Sequence, residues 1–324
     1  MKITFTLKAA LLSAAAFSMV ACATDPGASQ PPSSSLPNSH LYTQTNETDN
    51  KIIHYVRRDD GTLVEVERVP TGGKGSSGYK VFTGQKSAPD NLVSAGAVIL
   101  SADHKMLFAV NVIDRSVSSF AVGNDGRLQL RDHQPTGEKG PPTSLAYNNK
   151  ARMLYVMHTT GPNHIRAFKV VDGKLAATGT AYTLNTGKFN DRVATQIIAS
   201  PDDRFLLANV IFNSGPPRLE PANDKTKDGL MVFPFNPDGS LGKAVLNDAG
   251  GAGPFALAFL NGSNTTFVNT LALGSGAVLG TLGPDGKVTN APTVKVDLSR
   301  APKGPAETCW VSLSPDNRYA YVSN

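Results

Sequence analysis

The sequence predicts an all-β protein, a β-propeller of four-stranded sheets arranged around an axis. Two series of short motifs repeat in step along the chain. Short apolar segments end in Asn or His at Asn46, Asn111, His158, Asn209, Asn269 and Asn324. Asp-Gly pairs alternate with these segments, and each is followed two residues after the Gly by Leu or Val. A repeat of about 50 residues, built of short strands and Asp-Gly turns, is typical of a propeller blade, because one such sheet cannot cover both of its faces alone.

The unit from residue 91 to residue 140 shows the expected order of strands. Residues 93–100 form a largely apolar run with small side chains, which suits the strand nearest the axis. Residues 106–110 are wholly apolar, which indicates a strand buried between neighbouring sheets. An alternating run and a more polar one, at 115–122 and 128–133, complete the predicted sheet. Further inner strands are predicted at 143–147, 194–199, 255–260 and 308–313.

The first and last units predict an incomplete ring. The first unit begins at its second strand and has no inner strand of its own, while the last ends after two strands at Asn324. We therefore expect a late segment to supply the missing inner strand, and a sequence truncated by about one and a half to two blades. An open sheet edge of this kind would invite aggregation.

The first 23 residues have the pattern of an export signal. Lys2 and Lys8 precede the apolar stretch 9–20, which is too short to span a membrane. Ala21-Cys22-Ala23 fits a signal peptidase site, whereas residues 19–22 resemble a bacterial lipobox in which Cys22 is acylated. The lipoprotein interpretation is favoured because a Cys is otherwise unusual there. We expect a periplasmic or cell-surface lipoprotein, or alternatively a secreted protein, with a Pro- and Ser-rich tether at 24–40 and the propeller at 41–324.

Composition excludes several classes of partner. The formal charge of +5 is dispersed, without a basic block, so nucleic acid is not expected. Membrane contact is expected only through a lipidated Cys22. If Cys22 is removed or acylated, Cys309 has no partner for a disulfide, and its apolar surroundings predict a buried thiol. No phosphate-binding glycine motif, nucleophile elbow or HExxH is present, so no cofactor and no metal are expected.

Several segments resemble the seven-bladed lactonase family, which includes 6-phosphogluconolactonase-like and carboxymuconate-cyclase-like proteins. They are LYTQTN, LSADHKMLFAVN, SPDDRFLLAN, GAGPFALAF and CWVSLSPDNRYAYVSN. The resemblance covers about residues 41–324. It implies seven blades in the full protein, of which about five and a half are present here, and hydrolysis of a small lactone.

The resemblance also implies an active site in the mouth of the central channel, with a His before one SPDGR-like block and an Arg after the next Gly-Pro. Thr195 and then Gln196 stand where the His would fall, and Phe255 stands where the Arg would fall. Lactone opening needs a base that activates water and a donor or cation for the oxyanion. Neither Thr195 nor Phe255 has that chemistry, so other groups must act if the protein is a hydrolase.

Two candidate catalytic residues and three candidate ligand-binding residues remain. His158 is the one histidine in the strand-end series, and it either titrates in a site or caps a turn as Asn does. Glu307 stands at the entry to an apolar strand, as an acid or base or as a solvated carboxylate. Asn111, Arg192 and Gln196 are the predicted ligand-binding residues.

Two functions follow from these candidates. The first is hydrolysis of a small lactone, and the alternative is a non-catalytic exported propeller that binds a small ligand or a protein through its loop face. We expect the strand-end residues, Gln196 and Glu307 on one face. Burial of His158 against a neighbouring blade would favour the alternative.

Overall fold

The computed structural model of the protein describes residues 39–186, 192–212, 228–296 and 307–323. Within these ranges all regular secondary structure is β-strand, and the strands form six antiparallel sheets. The same ranges contain no helix long and apolar enough to cross a membrane. The prediction of an all-β propeller is confirmed.

The first sheet has three strands in the order β1-β2-β3. They are β1 (Ser39–Gln44), β2 (Lys51–Arg57) and β3 (Leu63–Pro70). β1 begins two residues before the expected domain boundary at 41. Among the described strands none pairs with the second edge of β1, so this sheet lacks an inner strand, as the sequence predicts.

The second and third sheets each have four strands in sequence order. The second consists of β4 (Val98–Leu100), β5 (Met106–Asn111), β6 (Ser116–Val122) and β7 (Leu128–Pro135). The third consists of β8 (Pro142–Asn148), β9 (Met153–His158), β10 (Ile165–Val171) and β11 (Lys174–Tyr182).

The remaining sheets repeat this order. The fourth consists of β12 (Arg192–Ala199), β13 (Phe205–Phe212), β14 (Gly229–Pro234) and β15 (Val245–Asn247). The fifth consists of β16 (Pro254–Phe259), β17 (Thr266–Leu271), β18 (Gly276–Leu282) and β19 (Val288–Asn290), with β20 (Val294–Lys295) also paired to β18. The sixth consists of β21 (Val311–Leu313) and β22 (Ala320–Val322). The predicted insertion at 214–227 lies outside the described residues.

The hydrophobic core lies between successive sheets. The second strand of each complete unit is buried on both faces, and every residue of β9 is buried. Phe108 of β5 packs with Leu154 of β9, whereas Tyr155 of β9 packs with Leu206 of β13. A wholly apolar second strand is needed because each of its faces meets a different neighbouring sheet.

The near-identical SPDDR and SPDNR segments form one kind of turn. In the first, the Ser200 hydroxyl donates to Asp202 at 2.7 Å and accepts from the backbone N–H of Phe205 at 3.0 Å. In the second, Ser314 makes the matching bonds to Asp316 and Tyr319. These contacts join the inner strand to the second strand, which explains why the sequence recurs.

The inner strands interlock along the axis. β4 begins at Val98, later than the predicted start at 93, because the backbone just before it bonds to other blades. The N–H of Ala95 donates to the carbonyl of Thr195 at 3.0 Å, and the carbonyl of Gly96 accepts from Leu145 at 2.9 Å. Across the ring, the indole Nε1 of Trp310 donates to the carbonyl of Ser94 at 3.1 Å. We call Ser94, Ala95, Thr195 and Trp310 the axial hub.

Candidate functional site

The strand-end residues share one face and are buried there. Asn111 and His158 end β5 and β9, Asn46 follows β1 by two residues, and Asn269 lies two residues before the end of β17; all four are buried. Equivalent strand ends point to one side of a propeller because its blades have the same orientation. Asn324 lies outside the described residues.

Asn111 joins the first two sheets. Its Oδ1 accepts hydrogen bonds from Asn50 Nδ2 at 2.9 Å and from Thr71 Oγ1 at 2.6 Å. Its Nδ2 donates to Ser116 Oγ at 3.0 Å and to Ser118 Oγ at 2.9 Å. A ligand-binding role for Asn111 stays a prediction, while its observed contacts are those of a structural tie between blades.

His158 is also fully enclosed. Its Nδ1 lies 3.2 Å from the carbonyl oxygen of His164, to which it donates, and its Nε2 lies 2.9 Å from the Thr136 hydroxyl, from which it accepts. Burial lowers the pKa of His158 to about 4. Because Thr136 follows β7, the imidazole is buried against the neighbouring blade. A catalytic role for His158 stays a prediction, and this burial argues against it.

Arg192 and Gln196 belong to the packing around β12. The carbonyl of Arg192 accepts from His164 Nε2 at 3.0 Å, and the Arg192 guanidinium is buried with its Nη1 3.5 Å from Met231 Sδ. Burial lowers the pKa of Arg192, an effect that Asp228 opposes. Gln196 Oε1 accepts from the backbone of Leu257 at 2.5 Å. Both residues join β12 to neighbouring sheets.

The two positions at which the resemblance implies catalytic residues are enclosed as well. The Thr195 hydroxyl donates to the carbonyl of Pro254 at 2.9 Å. Phe255 packs edge-on against Trp310, with ring centroids 5.5 Å apart and an interplanar angle of 78°. Neither side chain supplies a base or a cation, so the structure offers no substitute at these positions.

Glu307 is exposed, and it lies near an acid that the sequence pattern did not indicate. Burial raises the pKa of Asp90, and Glu307 raises it further, while a hydrogen bond from the N–H of Val93 at 2.9 Å and the charge of Lys80 oppose the rise. Burial raises the pKa of the Cys309 thiol to about 11, and the charges of Asp90 and Glu307 contribute to the rise. We call Lys80, Asp90, Glu307 and Trp310 the mouth cluster.

A groove of about 520 Å³ runs from the mouth cluster along β1. The groove is lined by residues 42–46, 89–92 and 94–98 and by Trp310. The amide oxygen and nitrogen of Gln44 are buried without a hydrogen-bond partner among the described residues. Trp310 is 41% exposed, and its ring is oriented by the bond to Ser94. The groove therefore offers an aromatic surface beside the enclosed amide of Gln44.

Sequence reasoning missed Asp90 and Lys80 because both lie outside the repeated segments. The connection from β3 to β4 spans residues 71–97, whereas that from β7 to β8 spans only 136–141. Long connections of this kind often carry functional residues, so their length was an available signal. No group of three or more His, Cys, Asp or Glu side chains suited to a metal ion occurs within the described ranges.

Comparison with known proteins shows which family part of the chain resembles. Residues 33–188 match the family model described as "Lactonase, 7-bladed beta-propeller". Among proteins with curated descriptions, none matches the sequence. The family match supports the resemblance inferred from the sequence motifs.

Solved structures show the same fold. A putative 6-phosphogluconolactonase from Bacteroides fragilis is 22% identical with a TM-score of 0.56, covering 87% of this chain and 72% of that one. The periplasmic gluconolactonase PpgL of Pseudomonas aeruginosa is 18% identical with a TM-score of 0.55, covering 79% and 67%. A functionally unknown protein from Desulfotomaculum acetoxidans is 12% identical with a TM-score of 0.58, covering 88% and 72%. At these identities the similarity concerns the fold.

Proposed function

We propose that this β-propeller, which resembles the lactonase family over residues 33–188, hydrolyses a small lactone at the mouth cluster. The observation that carries the proposal is the position of Asp90, a carboxyl group of raised pKa within electrostatic reach of Lys80 and Glu307. It borders the 520 Å³ groove, on the face where the inner strands begin. A carboxylate whose pKa is raised by burial is suited to act as a general base nearer neutral pH.

The residues of the cluster fit the steps of the reaction. The Asp90 carboxylate takes a proton from water while the water oxygen attacks the lactone carbonyl carbon. Lys80 stabilises the negative charge that forms on the carbonyl oxygen. When the ring C–O bond breaks, the leaving oxygen takes the proton back from Asp90, and the product is a hydroxy acid. Burial is the main cause of the raised pKa of Asp90, and the charge of Glu307 adds a smaller contribution in the same direction.

The groove would hold the ring of the substrate beside these groups. Trp310 offers a partly exposed aromatic face, and the exposed Thr43 and the half-buried Asn91 offer polar groups for ring substituents. A compact polar ring with hydroxyl groups fits these features better than a long acyl chain. We therefore propose a small hydroxylated lactone as the class of substrate.

A panel of five- and six-membered lactones incubated with the full chain tests this function. We expect Asp90→Asn to lower kcat/KM about 100-fold or more, since the amide cannot accept the proton. Asp59→Asn, which removes an exposed carboxylate from the β2–β3 turn, is the matched control and should leave the rate unchanged. Absence of turnover with every lactone, or equal rates for the two variants, would overturn the proposal.

Non-catalytic binding is the second candidate, and two observations favour it. One is the burial of His158 against the neighbouring blade. The other is that the positions of the two catalytic residues implied by the resemblance hold the buried Thr195 and Phe255. In this alternative the groove binds a small lactone and does not hydrolyse its ring. Trp310→Ala should then weaken binding of the lactone, while Asp90→Asn should not. Calorimetric binding of a lactone that is recovered intact would support binding over hydrolysis.

We also propose that the protein is exported and held at a membrane by an acylated Cys22, a residue outside the described ranges. The export-like pattern of residues 1–23 supports this, as does the periplasmic location that the name of the Pseudomonas protein states. Expressed in a bacterium, Cys22→Ser should move the protein from the membrane fraction to the soluble fraction. Cys309→Ser is the control and should remain with the membrane. Mass spectrometry that finds an unmodified mature N-terminus beginning at Thr24 would contradict the proposal.

A further inference from the structure

A second groove lies between the second and third sheets, on the face opposite the mouth cluster. Its volume is about 620 Å³, and it is bordered by the β4–β5 turn, the β8–β9 turn and the β10–β11 turn. These turns join strands at the ends opposite to Asn111 and His158. The groove is therefore separate from the site proposed for lactone hydrolysis.

Three cations surround this groove. They are Lys105, Arg131 and Arg152. None of them forms an ion pair within 4 Å with a carboxylate among the described residues, although Arg68, Arg127 and other arginines do. Arg131 instead donates to neutral oxygens, Gln129 Oε1 at 3.3 Å and the carbonyl of Asp172 at 3.5 Å. The guanidinium groups thus retain their capacity to pair with an anion.

The groove has an apolar floor and two acids at its edge. Met106, Ala121, Tyr147 and Val170 line the floor, and burial raises the pKa of Tyr147. The Asp103 carboxylate is bound by its own turn, through the hydroxyl of Ser101 at 2.6 Å and the N–H of Lys105 at 3.1 Å. Asp172 is exposed at the rim. The lining therefore contains three cations and two carboxylates, one of which is bound by its own turn. The neighbouring Asp203 carboxylate accepts from the backbone N–H groups of Asn149 and Lys150, each at 3.1 Å.

We propose that this groove binds a small organic anion, a carboxylate or phosphate monoester attached to an apolar ring. Arg131 and Arg152 pair with the anionic oxygens, because guanidinium matches both oxyanions in geometry. The ring lies on the side chains of Met106 and Val170, which supply apolar contact. The ligand needs both its anionic group and its ring. An inorganic ion makes no contact with the apolar floor, and a neutral ring leaves the arginines without an anion to pair with.

The test uses the full chain and four probes, measured by calorimetry or by NMR titration at low ionic strength. Benzoate and phenyl phosphate should bind, and their relative affinities distinguish a carboxylate ligand from a phosphate ligand. Inorganic phosphate and benzyl alcohol should bind at least fivefold more weakly than phenyl phosphate and benzoate, respectively. Added salt should weaken the binding of both charged aromatic probes.

Substitutions with opposite effects separate this site from general damage to the fold. Arg152→Gln and Arg131→Gln should each weaken benzoate binding at least fivefold. Asp172→Asn should tighten it, because the change removes a repelling charge at a residue whose φ of 51° Asn accommodates. Arg57→Gln, on the first sheet, is the control for net charge and should have no effect. Equal binding of benzyl alcohol and benzoate, no binding of any probe, or insensitivity to Arg152→Gln would overturn the proposal.

Discussion

Replacing Asn111 with alanine is expected to lower the free energy of unfolding by about 3 kcal/mol, since it removes four hydrogen bonds of about 1 kcal/mol each from a fully buried site. The Thr71 hydroxyl can turn to the carbonyl of Asn50, and Ser118 keeps its bond to the carbonyl of Thr71. The loss is therefore smaller than four fully unsatisfied groups would give. Urea unfolding followed by circular dichroism measures the change.

Asn163→Ala is the matched control for this substitution. Asn163 is exposed and donates only to the Glu138 carboxylate, at 3.2 and 3.3 Å. Its removal should change stability by less than about 0.5 kcal/mol. If Asn111→Ala were no more destabilising than this control, the interpretation of Asn111 as a structural tie would be wrong, and its predicted ligand-binding role would regain support.

Acid should destabilise the fold between pH 6.5 and pH 4 through its buried histidines. Burial lowers the pKa of His158 from 6.5 to about 4, and it also lowers the pKa values of His54 and His164. In this range the unfolded chain binds a proton at His158 that the folded chain does not, so stability falls as the pH falls. The shift for His158 alone corresponds to about 3 kcal/mol, complete below pH 4.

The pH dependence of unfolding in two variants isolates the part due to His158. His158→Asn restores the residue type of the strand-end series. In this variant the free energy of unfolding should depend less steeply on pH, by the contribution of His158, while the contributions of His54 and His164 remain. His104→Asn removes an exposed histidine from a turn with φ of 56°, and it should keep the full slope. Unchanged slopes in both variants would show that His158 is accessible to protons in the folded state, as a catalytic histidine must be.

The repeated part of the fold was predictable because its physics is local. The apolar second strands recur at intervals of roughly 50 residues. The Ser–Pro–Asp turn occurs at Ser200 and again at Ser314, and each turn fixes a strand pair without reference to distant residues. The short β4 was not predictable in this way. Residues 94–97 have the small, largely apolar side chains expected of an inner strand, but the backbone of Ala95 and Gly96 bonds to Thr195 and Leu145, which are remote in sequence.

The candidate site shows the same division. Glu307 could be found from sequence because it precedes a recognisable strand. Asp90 could not, since the raised pKa depends on burial and on Glu307, more than 200 residues away in the chain. Conversely, His158 looked exceptional as the one histidine in the strand-end series. The Thr136 hydroxyl, which donates a hydrogen bond to His158 Nε2, lies on a different blade. No strand pattern in the sequence predicts this contact.

The axial hub bears on how cooperatively the sheets unfold. In a linear array of repeats each unit interacts only with its neighbours, so a terminal unit can open without disturbing the others. Here the bond between Ala95 and Thr195 joins the second sheet to the fourth, and the bond between Trp310 and Ser94 joins the sixth to the second. Opening the sixth sheet therefore also breaks a contact on the second. The hub therefore couples the stability of the sixth sheet to that of the second and fourth sheets.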